Sequence, residues 1–400
     1  MTYHRYLWIF LIGNIVGVLI VATVTAAPLL PSGFESPLTI LYPELNQVSA
    51  PSWLEEGIRA SYTSNVALYT KYEDQFGNSV DGESAKVGNG ITQIDLVGLS
   101  DGIAATTNTI YTEMPPYNNY KLLMSNGGIS PDGYGPFWCN PEILATIPDT
   151  STNFLVIQHL PYTIDGEQYA TIRFDCLYGD QKNALAMVYD LESGLLLYHT
   201  INTGTEQIQK GYVDTTVTSG NSGYYQLKNL RKVIIPWANG SIPSFIRSGS
   251  MQQFAGQKEI TVQGAVGAPM AFGRQNILTF GEVSNRFVIC QLDVINQDVT
   301  TSTDTINTVS GISQLAGLFI PPEAAGLGTG TVDTDPDTGV QVSITRNDAT
   351  GIVLTKTNNA DQQSSYWYDP SGKLLQTMTE SVTSTTGGFT SSERTVMQTV

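Results

Sequence analysis

Apolar and polar positions alternate with a period of two along much of this chain. Short runs rich in β-branched and aromatic residues recur at 153–158, 169–174, 185–189, 195–200, 232–235, 287–294, 340–345 and 352–355, bounded by Gly, Asn, Asp or Ser. That period sends successive side chains to opposite faces of an extended backbone, so the runs predict strands. Helical signals are few. Asn140-Pro141-Glu142-Ile143-Leu144-Ala145 offers a capping Asn, a Pro at the first helical position and an acid at the positive end of the helix dipole. Residues 52–62 predict a second short helix, opening the repeating unit described next.

The pattern occurs twice. Ala50-Pro51-Ser52-Trp53-Leu54-Glu55-Glu56-Gly57 returns as Ile242-Pro243-Ser244-Phe245-Ile246-Arg247-Ser248-Gly249, each followed five residues past its Gly by an aromatic, Tyr62 or Phe254. Gly128-Ile129-Ser130 returns as Gly311-Ile312-Ser313, and Phe137-Trp138-Cys139-Asn140-Pro141-Glu142 as Leu318-Phe319-Ile320-Pro321-Pro322-Glu323. Tyr189-Asp190-Leu191-Glu192-Ser193-Gly194-Leu195-Leu196 returns as Tyr368-Asp369-Pro370-Ser371-Gly372-Lys373-Leu374-Leu375, one residue shorter in effect through its loop. The offsets are 192, 183, 181 and 179 residues, in the same order. Four ordered landmarks predict a tandem duplication. The expected fold is mainly β: two copies of an antiparallel module, each a curved sheet, half-barrel or sandwich with one or two short helices. The expected boundaries are a leader at 1–27, a Pro-rich linker at 28–49, a first module at 50–236 and a second at 237–400. The last landmark reads as a hairpin whose Asp190 or Asp369 caps the turn and whose Gly supplies a positive φ.

Charge and composition narrow the function classes. Only 14% of residues are charged, against about 25% in a typical domain. The net charge of −17 repels phosphate backbones and anionic membrane surfaces, and no basic stripe offsets it. Nucleic-acid binding is therefore not expected. His4 and Arg5 precede an apolar stretch at 7–27 that ends Val24-Thr25-Ala26-Ala27. It reads as a hydrophobic helix, either a secretion signal cut after Ala26 or an uncleaved membrane anchor. Both place the remainder outside the cytoplasm, secreted, periplasmic or tethered. Cys139, Cys176 and Cys290 fit no metal or haem spacing. They read as buried thiols, with a Cys139–Cys176 bridge as the alternative.

Candidate chemistry is sparse. Asp333-Thr334-Asp335-Pro336-Asp337-Thr338-Gly339 alternates acids in a loop, the pattern by which Asp333, Asp335 and Asp337 would converge on Ca²⁺. Residue 344, where an EF-hand-like loop would carry its Glu, is Ile, so the same stretch also reads as a polar turn between strands. No other cofactor is expected. Asp337-Thr338-Gly339 matches the aspartic-protease tripeptide but lacks its partner in the other module. His159 and His199 are the histidines beyond the leader, and no Gly-x-Ser-x-Gly elbow, Walker loop or dinucleotide fingerprint accompanies them. Twenty Tyr against three His favours binding surfaces or sheet faces over active sites, and any single Tyr reads equally as the edge of a two-layer core.

The Tyr-Asp…Ser-Gly-x-Leu-Leu hairpin resembles strands of the half-open β-barrels that carry lipids or lipoproteins outside the cytoplasm. The resemblance covers only that hairpin in each module and carries no site residue over. The functional expectation is an exported or membrane-tethered, non-catalytic binding or assembly protein with a protein, glycan or lipid partner. A structural shell or filament subunit is the alternative. A hydrolase centred on His159 or His199 is the third reading.

Overall fold

The computed structural model describes residues 53–74, 76, 84–100, 103–113, 121–130, 138–178, 183–209, 215–262, 269–297, 301–358, 362–384 and 390–400. The leader and linker expected at 1–49 lie outside the described residues. No helix among the described residues is long and apolar enough to cross a membrane.

The chain is mainly β and pairs its strands antiparallel. The first ten strands are β1 (Ile58–Asp74), β2 (Ser84–Ser100), β3 (Ile103–Glu113), β4 (Lys121–Ser130), β5 (Thr150–Ser151), β6 (Leu155–Ile164), β7 (Glu167–Tyr178), β8 (Asn183–Asp190), β9 (Leu196–Gln209) and β10 (Thr215–Lys232). They form one sheet in the order β4-β3-β2-β1-β10-β9-β8-β7-β6-β5. The next ten are β11 (Met251–Val262), β12 (Met270–Val283), β13 (Phe287–Gln297), β14 (Thr301–Gly311), β15 (Gly330–Thr334), β16 (Gln341–Asp348), β17 (Gly351–Asn358), β18 (Gln362–Tyr368), β19 (Leu374–Ser384) and β20 (Thr390–Thr399). Their order is β14-β13-β12-β11-β20-β19-β18-β17-β16-β15, the first order shifted by ten.

The sequence landmarks occupy matching places. Gly57 before β1 and Gly249 before β11 take φ of +86° and +79°, and their N–H groups bond Leu96 O at 2.9 Å and Phe280 O at 2.7 Å. Trp138 bridges Leu195 as Phe319 bridges Lys373. The hairpin glycines Gly194 and Gly372 sit at φ +73° and +83°, and a Cβ on either would lie 1.9 Å from a backbone carbonyl oxygen, that of Cys139 or Ile320. Each turn is capped by its Asp. Asp190 accepts from Ser193 N and Oγ, and Asp369 from Ser371 N and Oγ.

Local chemistry explains the helix α1 (Pro141–Leu144), where the Asn140 side chain accepts from Glu142 N at 2.9 Å. Its counterpart, Pro322–Gly326, lacks a side-chain cap and tightens to a 3₁₀ turn. Two expectations are corrected. Residues 53–57 form turns and β1 begins at Ile58, so the helix expected over 52–62 is absent. The positive φ of Gly57 ends any helical path, and from Ile58 onward the period-two pattern governs. Residues 233–235 alternate as expected, with Val233 and Ile235 buried and Ile234 79% exposed, but they leave the sheet after Lys232. Val233 N bonds only across to Gly57 O, at 2.7 Å.

The described residues divide into two compact units. One draws on residue 53 and the described residues within 62–89 and 130–228, the other on those within 54–61, 90–129 and 229–400. The units do not coincide with the sheets, because residues 54–61 and 90–129 lie before the sequence boundary at 236. The second unit holds an apolar core around Trp237, Phe254, Ile320, Leu354 and Tyr368, and another around Phe280, Val288, Ile312 and Phe319.

Candidate functional site

Two of the three acids singled out for Ca²⁺, Asp333 and Asp335, are held by arginines. Asp335 ends the strand–turn step after β15, and its side chain is 1% exposed. Oδ2 accepts from Arg59 at 2.8 Å and Arg231 at 2.7 Å. Oδ1 accepts from Gln93 at 3.0 Å and caps its own turn through Thr338 N and Oγ1 at 2.9 Å. Arg231 also grips Asp333 with both terminal nitrogens, and Arg59 grips Asp95 in a two-pronged pair. Asp337 stands apart from this pairing, with Asn229 Nδ2 at 3.4 Å. Burial alone would raise the pKa of Asp335, but the Arg231 and Arg59 contacts outweigh it and hold the carboxyl far below the usual range. Burial likewise works against Arg59, and Asp95 and Asp335 hold it charged. Both oxygens of Asp335 are saturated by protein donors. Among the described residues no three His, Cys, Asp or Glu side chains are arranged to hold a metal ion.

A small cavity of about 70 Å³ adjoins this network, lined by Arg59, Asp95, Tyr111, Lys356 and Tyr366 among others. That is room for a few waters. Lys356 lies with its ammonium 5.4 Å from the centre of the Tyr111 ring. Its burial favours the neutral form, but Tyr111 and Tyr366 keep its pKa above the ordinary lysine value. A second junction in the same unit centres on Glu56, which accepts from Arg286 Nε at 2.7 Å, Leu99 N at 2.9 Å and Ser313 Oγ at 2.7 Å.

Neither histidine is held against a nucleophile. His199 is buried and packs its ring nearly parallel to Tyr225, with centroids 5.6 Å apart. Burial pushes its pKa down to about 4, so it is neutral at physiological pH. His159 is joined through Nδ1 to Asp149 at 2.7 Å on the surface. No hydroxyl or thiol hydrogen-bonds to either ring among the described residues. Cys139, Cys176 and Cys290 are free and buried. Burial raises their thiols to about 12, 11 and 12, so they are poor thiolates.

The first unit presents a different kind of surface. Register places Gln158, Arg173, Val188, Tyr198 and Gln226 in one row across β6, β7, β8, β9 and β10, so they share a face. Tyr162, Leu160 and Asp175 have the same parity. Tyr162 and Tyr198 stand three strands apart, about 14 Å at the usual spacing, yet their ring centres are 6.0 Å apart. The rings therefore lean toward each other over the intervening strands, where Val188 is 1% exposed. Tyr198 continues to Tyr224, with centres 6.2 Å apart and planes within 20°. On the same face β7 carries a two-pronged ion pair, Arg173 Nε and a terminal nitrogen each 2.7 Å from an Asp175 oxygen. The pair is 39% and 36% exposed, and Tyr224 is 39% exposed.

The second sheet repeats the row with its groups differently placed, Trp367 on β18 and an Arg346–Asp348 contact of 3.6 Å on β16. Its register runs Arg346, Val353, Trp367, Gln376 and Gln398. Gln376 stands where the first sheet has Tyr198, and Val353 where it has Arg173. The fold builds the row with or without the tyrosine and the arginine.

No protein-family model and no curated protein matches this sequence. Among solved structures the chain is similar to a mutant of the Rh. blastica porin, at 8% identity over 86% of this chain and all of that one, with a TM-score of 0.12. It is also similar to the outer membrane protein opdK from Pseudomonas aeruginosa, at 9% identity over 85% and 98%, TM-score 0.10. A third is the Pseudomonas putida toluene transporter TodX, at 8% identity over 96% and 95%, TM-score 0.11. Superpositions of that quality carry no argument about this protein.

Sequence reasoning found the acids of the buried network but not their partners. Arg59, Asp95 and Gln93 are distant in sequence from 333–337, and nothing local announces a pairing across more than 200 residues. The aromatic face had one legible signal, the abundance of Tyr, but its residues are assembled by register across five strands.

Proposed function

We propose that this chain is an exported or membrane-tethered, non-catalytic binding protein, built by tandem duplication of one β module and taking its partner on the outer face of β6–β10. The observation that carries the reading is the half-exposed run of Tyr162, Tyr198 and Tyr224, which shares a face with the Arg173–Asp175 pair, Tyr198 standing where the second sheet has Gln376. Half-exposed tyrosines in a row leave apolar surface in water, which a bound partner would cover. The groups a hydrolase would use support the same reading. His199 is sequestered, the thiols are buried, and among the described residues His159 has an acid partner but no nucleophile. The extracytoplasmic location rests on the leader-like sequence at 7–27.

Two measurements test this. Turnover of chromogenic esters and glycosides is expected at the uncatalysed rate, and activity abolished by His159→Ala would overturn the reading. Retention of the purified protein on fractionated envelope material from its source cells is expected for wild type. The double variant Tyr198→Ser/Tyr224→Ser is expected to lose it. Ordered self-assembly of the purified chain, undisturbed by that variant, would favour the shell or filament alternative instead.

A further inference from the structure

We propose that the tyrosine face of β6–β10 binds a neutral polysaccharide or oligosaccharide. This deepens the binding reading above and rests on it.

The face offers two kinds of contact side by side. The rings of Tyr162, Tyr198 and Tyr224 succeed one another with centres 6.0 and 6.2 Å apart, the first two tilted by 41° and the last two stacked within 20°. Arg173 and Asp175 lie on the same face and hold each other in a planar, two-pronged pair. The pair is electrically neutral as a unit. About two-fifths of each side chain remains in water, with the second terminal nitrogen of Arg173 and the outer lone pairs of Asp175 left to meet a ligand.

A pyranose matches that arrangement. Its C–H face is apolar and stacks on an aromatic ring, while its hydroxyl rim both donates and accepts. Neighbouring hydroxyls can take an N–H from Arg173 and give an O–H to Asp175 without disturbing the ion pair.

Charge removes the main competitors. Nucleobases also stack on tyrosine, but their phosphates would approach a chain of net charge −17. The same charge opposes anionic lipid headgroups and acidic glycans. A protein interface would desolvate the Arg173–Asp175 pair, and interface cores are depleted in charged groups. A glycan leaves the pair partly hydrated and replaces lost waters with hydroxyls.

The fold does not require these residues, because the corresponding row of the second sheet has Gln376 and Val353. Gln376, at the position of Tyr198, supplies an internal control on the same architecture.

The test is affinity electrophoresis of the intact protein through gels containing hydroxyethylcellulose, laminarin, glucomannan or soluble chitin, followed by envelope polysaccharide from the source cells. At least one is expected to retard wild type. Tyr198→Ser/Tyr224→Ser should migrate as in a plain gel, and Arg173→Lys, which loses the planar fork, should weaken retardation by about tenfold. Gln376→Ala should leave it unchanged, and all variants should keep the wild-type melting temperature within a few degrees. Retardation that survives the double tyrosine variant overturns the assignment of this face. The envelope fractions separate the two readings. If the tyrosine-dependent retention there persists after periodate has cleaved vicinal diols, the face binds something other than a glycan, and the glycan inference falls while the binding reading stands. If no polysaccharide and no fraction retains wild type, both fall.

Discussion

Asp335 is the residue on which the second unit is most dependent, because it is a carboxylate with 1% exposure and two guanidinium partners. Removing one member of a buried ion pair leaves the others uncompensated, which costs roughly 3–5 kcal/mol. Asp335→Asn should therefore lower the urea-derived stability by about 3 kcal/mol or more. Millimolar Ca²⁺ should leave the melting temperature of the wild type unchanged, because both oxygens are already taken. A Ca²⁺-dependent rise abolished by Asp335→Asn would restore the metal reading of Asp333, Asp335 and Asp337. Two titrations then divide the acid side of the stability curve. His199 has a folded pKa of about 4 against an ordinary value near 6.5. The unfolded chain takes up that proton first, so stability is full above pH 6.5 and declines as pH falls toward 4. The slope for one proton is about 1.4 kcal/mol per pH unit. His199→Phe, which keeps a ring against Tyr225, should flatten the profile in that window. Asp335 acts lower. Its folded pKa lies below the ordinary carboxylate value, so its contribution is present above pH 4 and is lost only below it. The substitution at His199 should leave that lower limb in place.

At the level of elements, what could be read from the sequence was whatever nearest neighbours decide. The hairpins at 189–198 and 368–376 were legible because Asp, Ser and Gly at fixed offsets specify a turn by their own hydrogen bonds and φ preference. The start of α1 was legible for the same reason. The helix expected over 52–62 was not, because Gly57 takes its conformation from distant partners, Leu96 O and Val233. The exit of residues 233–235 from the sheet was hidden too, since alternation reports burial and not which neighbour accepts the hydrogen bonds. The glycines give a sharp test of the matched hairpins. Gly194→Ala and Gly372→Ala each drive a Cβ to 1.9 Å from a fixed carbonyl oxygen at positive φ. Each should cost roughly 3 kcal/mol in chemical denaturation. Gly166, at φ +89° with nothing within 4 Å, should cost only the backbone term, about 1 kcal/mol on changing to Ala. Equal losses at all three positions would mean that the turns relax, and that Trp138 and Phe319 do not fix them in place.

For the whole molecule, the repeat was legible as a pattern but not as a set of folding units. The two sheets share one strand order, yet the second compact unit takes in residues 54–61 and 90–129 from before the sequence boundary. Those residues carry Arg59 and Gln93, which bond Asp335, Asp95, which pairs with Arg59, and Glu56, which pairs with Arg286. Arg231 lies just before the boundary as well. No spacing rule relates these positions to 286 and 335, so neither the network nor the cavity beside it was visible in the sequence. The consequence is testable by cutting the chain at its apparent joint. A fragment of 237–400 keeps the apolar cores around Phe280 and Leu354 but leaves Asp335 without either guanidinium and Arg286 without Glu56. Burying such charges unpaired costs several kcal/mol each, a large share of the 5–15 kcal/mol that holds a domain together. The fragment alone should show no cooperative urea transition by tyrosine and tryptophan fluorescence. Within it, Asp335→Leu should recover part of the lost stability, because the charge no longer has to be desolvated, although the same change in the intact chain should be strongly destabilising. A fragment as stable as the intact protein would mean that the arginine network is dispensable and that the boundary at 236 is also a folding boundary.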